Sequence, residues 1–407
     1  MLQARTVTNL DEVAPAAWDA LEQRGVPFLR HAFLAAAEHS GSVCPDTGWQ
    51  PLHLLLEDGS ALVGAMPLYL KGHSWGEFVF DFSWAEAYAR HGLAYHPKLV
   101  SCTPFTPATG PRVLVAPGQD PIAIRRAAAE ALKALVQTQG LSSVHVQFVD
   151  EAEVAVFREA GFLHRIACQF LWEDRGYGDF DGFLAGFTAE KRKKAKRERR
   201  RVAEAGIAFD TYAGDELDEA GWDTVFAFYR NNFRRHGHEP YLNRRFFAEV
   251  VRTLPGQPIV KLARQSGVPV AAAVFFAGAD TLYGRYWGAA DTLHSLHFEA
   301  CYHQGVELAL ARGLRRFEPG TQGEHKVARG FGPTLTHSLH WLADPRFQEA
   351  VGRYVAAESR QVAEYASLIG EHVPFKTDGP AAGLDAALNA ELDVGLASAL
   401  DPPAGNG

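Results

Sequence analysis

The sequence predicts a mixed α/β protein whose two halves share one plan, with a helical segment between them. Three observations carry this. An apolar strand, a polar turn with a glycine and a second apolar strand occur twice, as LHLLLEDGSALVGAMPLYL (52–70, turning at Gly59) and IVKLARQSGVPVAAAVFF (259–276, turning at Gly267); each reads as a β-hairpin. Each half then continues with a helix-length Ala/Leu-rich stretch, 121–139 or 296–312, followed by glycine and a strand, GLSSVHV (140–146) or GLRRFEP (313–319). The intervening segment carries helical, not strand, periodicity.

The elements follow in chain order. After the first hairpin, HSWGEFVFDFSWAEAY (73–88) alternates Phe78, Phe80 and Phe82 with Glu77, Val79 and Asp81, a half-buried strand by its period of two. Trp75 and Trp84 read as core. YHPKLVSCTPFTPATGPRVL (95–114) is a loop stiffened by Pro97, Pro104, Pro107 and Pro111, which presents Lys98 and Arg112 at low ordering cost. Glycine after the helix at 140, and again at 313, suits a C-cap, because glycine enters the left-handed region cheaply. In DFDGFLAGFTAEKRKKAKRERRRVAEAG (179–206), Phe183, Leu184 and Phe187 form a short apolar stripe, and the basic run continues at helical spacing to Gly206. GWDTVFAFYRNNFRRHGHEPYLNRRFFAEVVRTL (221–254) reads as two amphipathic helices broken near Gly237 and Pro240. The expected organisation is a first domain over 1–175, a basic helical segment opening the second domain over 176–245, the second domain over 246–376, and a small, acidic, disordered tail over 377–407.

Composition narrows the function. The chain has 407 residues, 47 % of them hydrophobic, and a net charge of −8, which suits a globular protein with a substantial core. Residues 190–201 hold nine cations and two carboxylates, a local +7 against −15 for the rest. A duplex-DNA binder spreads basic charge over a face or a domain, so DNA is not an expected partner. No stretch approaches the ~18 apolar residues of a membrane span, the start MLQARTVTNLDEV is no signal peptide, and Cys44, Cys102, Cys168 and Cys301 lack the spacing of a disulfide framework or a zinc knuckle. The expectation is a reduced, cytoplasmic protein. His294, His297, Cys301 and His303 raise the question of a metal, but no known ligand spacing completes them, and none is expected.

A hairpin, a crossover helix and a strand ending in a polar loop, used twice, resemble tandem domains of the GNAT acyltransferase superfamily. With a basic helical insertion the layout is similar to the Fem-type peptidyltransferases, which add amino acids to the peptide of peptidoglycan precursors. HSWGEFVFDFSWAEAY, YHPKLVSCTPFTPATGPRVL and FEPGTQGEHKVARGFGP (317–333) look like hallmarks of a FemAB-like bacterial family labelled peptidoglycan biosynthesis or recognition. The resemblance implies two tandem GNAT-like domains and transfer of an acyl or aminoacyl group to a small-molecule or peptide amine. It implies acyl-CoA or aminoacyl-tRNA as co-substrate and no tightly bound cofactor. It also implies that Lys98 and Arg112 are candidate anion binders. GRYWGAADTLHSLHFEACYHQG (284–305) lacks the Gly-rich pyrophosphate loop of ordinary GNAT enzymes, a departure that Fem-type enzymes share and that puts acetyl-CoA in doubt.

FEPGTQGEHKVARGFGP leaves a strand and enters a Gly/Pro-rich loop, where ligand groups converge. Amide formation needs a proton acceptor, oxyanion donors and cations for anionic substrate groups. Glu324 or His325 suits the first task, with Glu318 beside them. Gln322 and backbone N–H groups suit the second, and Lys326 and Arg329 the third. Tyr286 and His297 are candidate pocket residues, and so are Glu77 and Asp81, as a carboxylate pair or as a solvent-facing row. Lys193, Lys194, Arg197 and Arg200 are the candidate contacts to an anion: a tRNA, the phosphates of CoA or a nucleotide-sugar, or solvent alone. Two non-enzymatic functions stay open, a binder of cell-envelope precursors and a tRNA-binding module.

Overall fold

The hydrophobic pattern resolves into two units, each with its own core, in a computed structural model that describes residues 2–291, 293, 295–321 and 323–376. The expected disordered tail over 377–407, together with His294 and Gln322, lies outside the described residues. The first unit comprises the chain up to residue 168 and Leu335–Tyr365; the second comprises Gln169–Thr334 and a segment from Ala366. The basic segment belongs to the second unit.

In the first unit, β1 (Leu2–Val7), β3 (His53–Asp58), β4 (Ala61–Met66) and β7 (Leu114–Val115) form one antiparallel sheet. Strands β2 (Trp49–Pro51), β5 (Tyr69–Lys71), β6 (Lys98–Ser101), β8 (Ser143–Val149) and β15 (Gly332–Leu342) belong to a second. The expected hairpin is β3–β4. Helix α4 (Pro121–Gln139) starts with Pro121 in its first turn and the Asp120 carboxylate accepting from Ile122 N–H at 2.9 Å. Its buried face, Ile124, Ala128, Leu132 and Val136, recurs every four residues and packs on Leu54, Leu56, Val63, Val144 and Val146. Each large apolar side chain so buried contributes roughly 1.5–3 kcal/mol. Strands β6 and β8 run parallel, with Leu99, Val100 and Ser101 opposite Val144, His145 and Val146. The Pro-rich loop leaves where that pairing stops.

The second unit repeats this plan. Its strands follow the order β10 (Ile207–Ala213), β11 (Ile259–Gln265), β12 (Val268–Ala277), β13 (Thr281–Ala289), β14 (Arg316–Glu318) and the end of β9 (Leu163–Glu173). The second hairpin is β11–β12. Strands β13 and β14 again form a short parallel pair, Thr281–Tyr283 against Arg316–Glu318. The connection between them is helical, as parallel strands require: Leu296–Phe298, a π turn at Glu299–His303, then Gln304–Ala311. Both crossover helices end on a glycine with φ of 65°, Gly140 and Gly313, as the C-cap reading expects. Phe183, Leu184 and Phe187 are buried with Phe275, Leu282, Val306 and Phe317. The two amphipathic helices between the basic run and the hairpin are α8 (Glu219–Arg235) and α9 (Arg244–Thr253).

One expected strand is not there. Residues 76–81 are irregular, and helix α3 (Phe82–Arg90) begins at Phe82. Gly76 and Phe78 turn the backbone with φ of 82° and 61°. That turn points Glu77 and Asp81 inward, with 2 % and 1 % exposure, and leaves Phe80 53 % exposed. Ion pairing with a buried lysine outweighs aromatic burial here, and alternation alone cannot register that. Trp84 is core as expected, but Trp75 is 54 % exposed and rests its ring on Phe82.

Candidate functional site

Three groups of polar residues stand out: a buried charge cluster in the first unit, the basic helix, and the loop after β14 in the second.

In the first unit, Lys98 has no exposed surface and donates to Glu77 at 3.0 Å, to Ser74 Oγ at 3.2 Å and to Asp81. Burial alone would raise both carboxyl pKa values. Contact with the Lys98 ammonium wins for Asp81, which is held well below the usual carboxylate range. It does not win for Glu77, which stays above that range. Tyr95 joins Asp81 (2.6 Å) to His145 (3.0 Å), and His145 meets His340 at 2.7 Å. So Glu77 and Asp81 are a carboxylate pair and not a solvent-facing row. Arg112 is also fully buried; it donates to the backbone carbonyls of Gln147 at 2.6 Å and Phe148 at 3.0 Å and to that of Ala108. Arg112 braces the Pro-rich loop from inside, and Lys98 holds the segment 74–81.

The basic run forms helix α7 (Ala189–Glu204), which packs by the edge Ala195, Glu198 and Val202. Arg199 is drawn inward, to Glu307 at 2.7 Å and Glu299 at 3.2 Å. Lys193, Lys194 and Arg197 are exposed and, among the described residues, have no ion-pair partner. Arg200 is exposed and sits 3.5 Å from Glu204. Arg192, Lys193, Lys196, Arg197 and Arg200 line one shallow depression along the helix. Just over two turns of α-helix thus present a stripe of cations about 12 Å long.

In the second unit, β13 continues to Ala289 past Tyr283, its last residue paired with β14. A bulge makes Arg285 an extra residue in the ladder to β12, a device that re-aims a side chain. Arg285 lies 3.6 Å from Glu318. The loop after β14 contains the 3₁₀ segment Glu324–Arg329. His325 meets the Tyr302 hydroxyl at Nε2, 2.8 Å away. Its ring stands against His297 and Phe298, at centroid distances of 6.0 and 5.4 Å. Burial, followed by the charges of Arg329 and Lys326, holds His325 below its ordinary pKa; burial with His325 and the same cations brings His297 down to about 4. Both rings are neutral at pH 7.

Lys326 is 2 % exposed and donates to the carbonyls of Gly320 at 2.6 Å and Thr321 at 3.1 Å. Burial and the nearby Arg285 lower its pKa to about 7. Arg329 is buried, stacks on Phe298 at 3.5 Å, donates to Glu198 at 2.8 Å and reaches the His325 carbonyl. The structure therefore brings together Glu318, His325, Lys326, Arg329 and His297. Glu324 is exposed at the start of the segment. Tyr286 lies in an aromatic cluster with Tyr229 and Phe247, at 5.3 and 5.4 Å, on the helix-covered face of β13. Sequence reasoning missed Tyr302, Arg285 and Glu198. Tyr302 lies in the π turn, which has no sequence signature. Glu198 stands among nine cations, and composition does not tell which face of the helix it takes.

Among solved structures, FemX matches with 10 % identity over 86 % of this chain and 99 % of its own, at a TM-score of 0.52. That likeness shows the fold: two tandem GNAT-like units in a mixed α/β chain. A tandem GNAT protein from the clavulanic acid biosynthesis pathway matches with 13 % identity over 85 % of this chain and 99 % of its own, at 0.45. No curated protein matches. Among the described residues no helix is long and apolar enough to cross a membrane. The family model for FemAB-like proteins, described as peptidoglycan biosynthesis/recognition, matches residues 9–377, and the chain belongs to that family.

Proposed function

We propose that the protein transfers an acyl or aminoacyl group to an amine, and that the reacting atoms meet at the loop after β14. The observation that carries this reading is the neutral His325, held by Tyr302 beside the buried cations Lys326 and Arg329, with Arg285 next to Lys326. With its proton on Nε2, donated to the Tyr302 oxygen, His325 keeps Nδ1 open as an acceptor. The amine nitrogen attacks the acyl carbon and forms the N–C bond. Its proton passes to His325 Nδ1 and then to the departing thiol or hydroxyl as the old C–S or C–O bond breaks. These cations favour a developing oxyanion. Burial depresses all three, and the charge of Arg285 adds to it at Lys326, so an anionic ligand is welcome there. Gln322 and Glu324 stand as further candidates in the same loop, and Glu318 at the end of β14.

The exposed stripe on α7 favours an aminoacyl-tRNA over an acyl-CoA as donor, because two or three cations suffice for CoA and more are present. The family's description supports a peptidoglycan-precursor amine as acceptor, and a cytoplasmic reaction goes with that reading. The test is thermal melting of the protein against charged and uncharged tRNA, acetyl-CoA, longer acyl-CoAs and a UDP-linked muropeptide. A ligand of the native state raises the melting point. The proposal expects a shift with tRNA that Lys193→Gln, Lys194→Gln, Arg197→Gln and Arg200→Gln together abolish, and turnover that His325→Gln removes. A shift with acyl-CoA alone transfers the donor role to CoA. Turnover that survives His325→Gln overturns the proton-acceptor role. A shift with the muropeptide alone, without turnover, favours the non-catalytic binder, and absence of any shift counts against the proposal.

A further inference from the structure

The loop that carries His325 is not held by its own strand. Strand β14 is three residues long and ends before the loop begins. Besides the helical connection that carries Phe298 and Tyr302, α7 supplies a charged contact to the 3₁₀ segment. Glu198 is 8 % exposed amid nine cations, and its two oxygens point inward. Oε1 accepts from Arg329 Nη2 at 2.8 Å, and Oε2 lies 3.6 Å from His303 Nε2. Arg329 spans the gap: one terminal nitrogen is on Glu198, the other donates to the backbone carbonyl of His325, and the guanidinium plane lies on Phe298 at 3.5 Å. A planar fork with two anchored nitrogens has little freedom to rotate. His303 and Tyr302 are adjacent in the π turn. One carboxylate therefore touches the helix that supplies Tyr302 and, through Arg329, the main chain that carries His325.

We propose that Glu198 is a positioning residue that sets the Tyr302–His325 pair by clamping Arg329 to the His325 carbonyl. The inference rests on the reading of His325 as proton acceptor for its functional consequence, though not for its geometry. Glu198 touches no reacting atom. Its work is to keep the His325 backbone where the ring nitrogen reaches Tyr302. Helix α7 then has two faces with different tasks, an outer cationic stripe and an inner acidic brace, and Glu198 does not belong to the basic run functionally.

The test is the ring ¹⁵N–¹H spectrum of His325 in the full-length protein, with the resonance assigned by its loss in His325→Gln. In the wild type one tautomer dominates, held by Tyr302. Glu198→Ala, with folding verified by melting, is expected to shift His325 toward the tautomer mixture of a free imidazole. Arg329→Lys keeps the charge but not the fork, and is expected to give the same shift; it carries the test alone should Glu198→Ala not fold. The two changes act on one clamp, so the double variant is expected to move His325 no further than either single one. An unchanged His325 signal in a folded single variant, or additive shifts, overturns the proposal. Where wild-type turnover is measurable, Glu198→Ala is expected to lower kcat on the order of 10²-fold, the scale of a catalytic group misplaced by about 1 Å, with KM within about twofold, and Glu198→Asp to restore part of it. A wild-type spectrum dominated by the Nδ1–H tautomer would sink the proton-acceptor reading while leaving the dependence on Glu198 testable by the same shifts.

Discussion

Replacing Lys98 by methionine tests the reading of the first unit as one organised around a buried charge cluster. Methionine keeps most of the lysine stem, so packing changes little and the charge is what disappears. The ammonium contacts Glu77 at 3.0 Å and also touches Asp81, and none of the three side chains is more than 2 % exposed. Breaking a buried pair by removing one partner costs about 3–5 kcal/mol, because the other charge stays behind uncompensated. Here two carboxylates stay behind. For a domain of this size that loss lowers Tm by roughly 6–20 °C. The sign with pH follows. Without Lys98, burial raises the folded pKa of both carboxyls above their unfolded values. The folded state then binds protons more readily, and the defect grows as pH rises from about 4 toward the folded pKa values. The variant is therefore expected to be worst near pH 7–8 and to recover toward pH 5, where the wild type loses little. Urea melts at pH 5 and pH 7.5 measure this. The triple variant Lys98→Met, Glu77→Gln, Asp81→Asn is expected to be more stable than Lys98→Met alone, since neutral groups need no counter-charge. A loss below about 1 kcal/mol, or one independent of pH, would show that water reaches the cluster and would refute the argument.

Three further expectations follow from the same geometry. Lys326 carries an amine lowered to about 7, so between pH 7 and its ordinary pKa the unfolded chain binds the extra proton and stability rises with pH, by at most about 1.4 kcal/mol per unit. Lys71, also near 7, contributes in the same direction, so the informative quantity is the difference between wild type and Lys326→Met, which should lose its slope when measured by melts from pH 6 to 9. Gly288→Ala in β13 places a methyl 1.9 Å from the Phe228 carbonyl oxygen and 2.5 Å from Tyr229 N, both backbone atoms of α8; a cost of at least about 3 kcal/mol is expected, visible as lost soluble expression or a large Tm drop, and a neutral result would mean that α8 does not press on the strand. Neutralising Lys193, Lys194 and Arg197 together should change stability by less than about 0.5 kcal/mol, because exposed side chains without ion-pair partners contribute little; a larger loss in a chemical melt would assign α7 a structural task for these charges.

Most of the framework was legible because it rests on short-range rules. The two hairpins, the two crossover helices with their glycine caps and the strands that follow them each carry a local signature, and all lie where the pattern puts them. The basic run is helical, as its spacing predicts, and packs by one edge. Residues 76–81 were misread because the deciding interaction is not local. Lys98 is 21 residues from Glu77 and 17 from Asp81, and nothing in an alternating Phe/acid string says that a lysine will be buried behind it. The strength of an ion pair in the interior depends on the absence of water, which is a property of the folded unit and not of any segment.

The candidate site shows the same division more sharply. His325, Lys326 and Arg329 were found because they crowd one loop. The partners that give each its character were not, because they arrive from elsewhere: Tyr302 from a π turn, Arg285 from a bulge, Glu198 from a helix whose composition argued for solvent. Bulges and π turns are insertions of one residue into a regular element, so they leave the sequence pattern intact while changing which side chain faces the site. The composition of α7 misleads in the opposite direction. Nine cations dominate any count of the segment, yet its buried edge is set by Ala195, Glu198 and Val202. Only the second of these carries charge, and its charge opposes the rest. A minority residue on the packed edge of a helix meets the interior, where an ion pair is strong. The majority meets water and salt, where it is weak. That asymmetry is why one glutamate can govern the loop while the cations around it remain available to an outside partner.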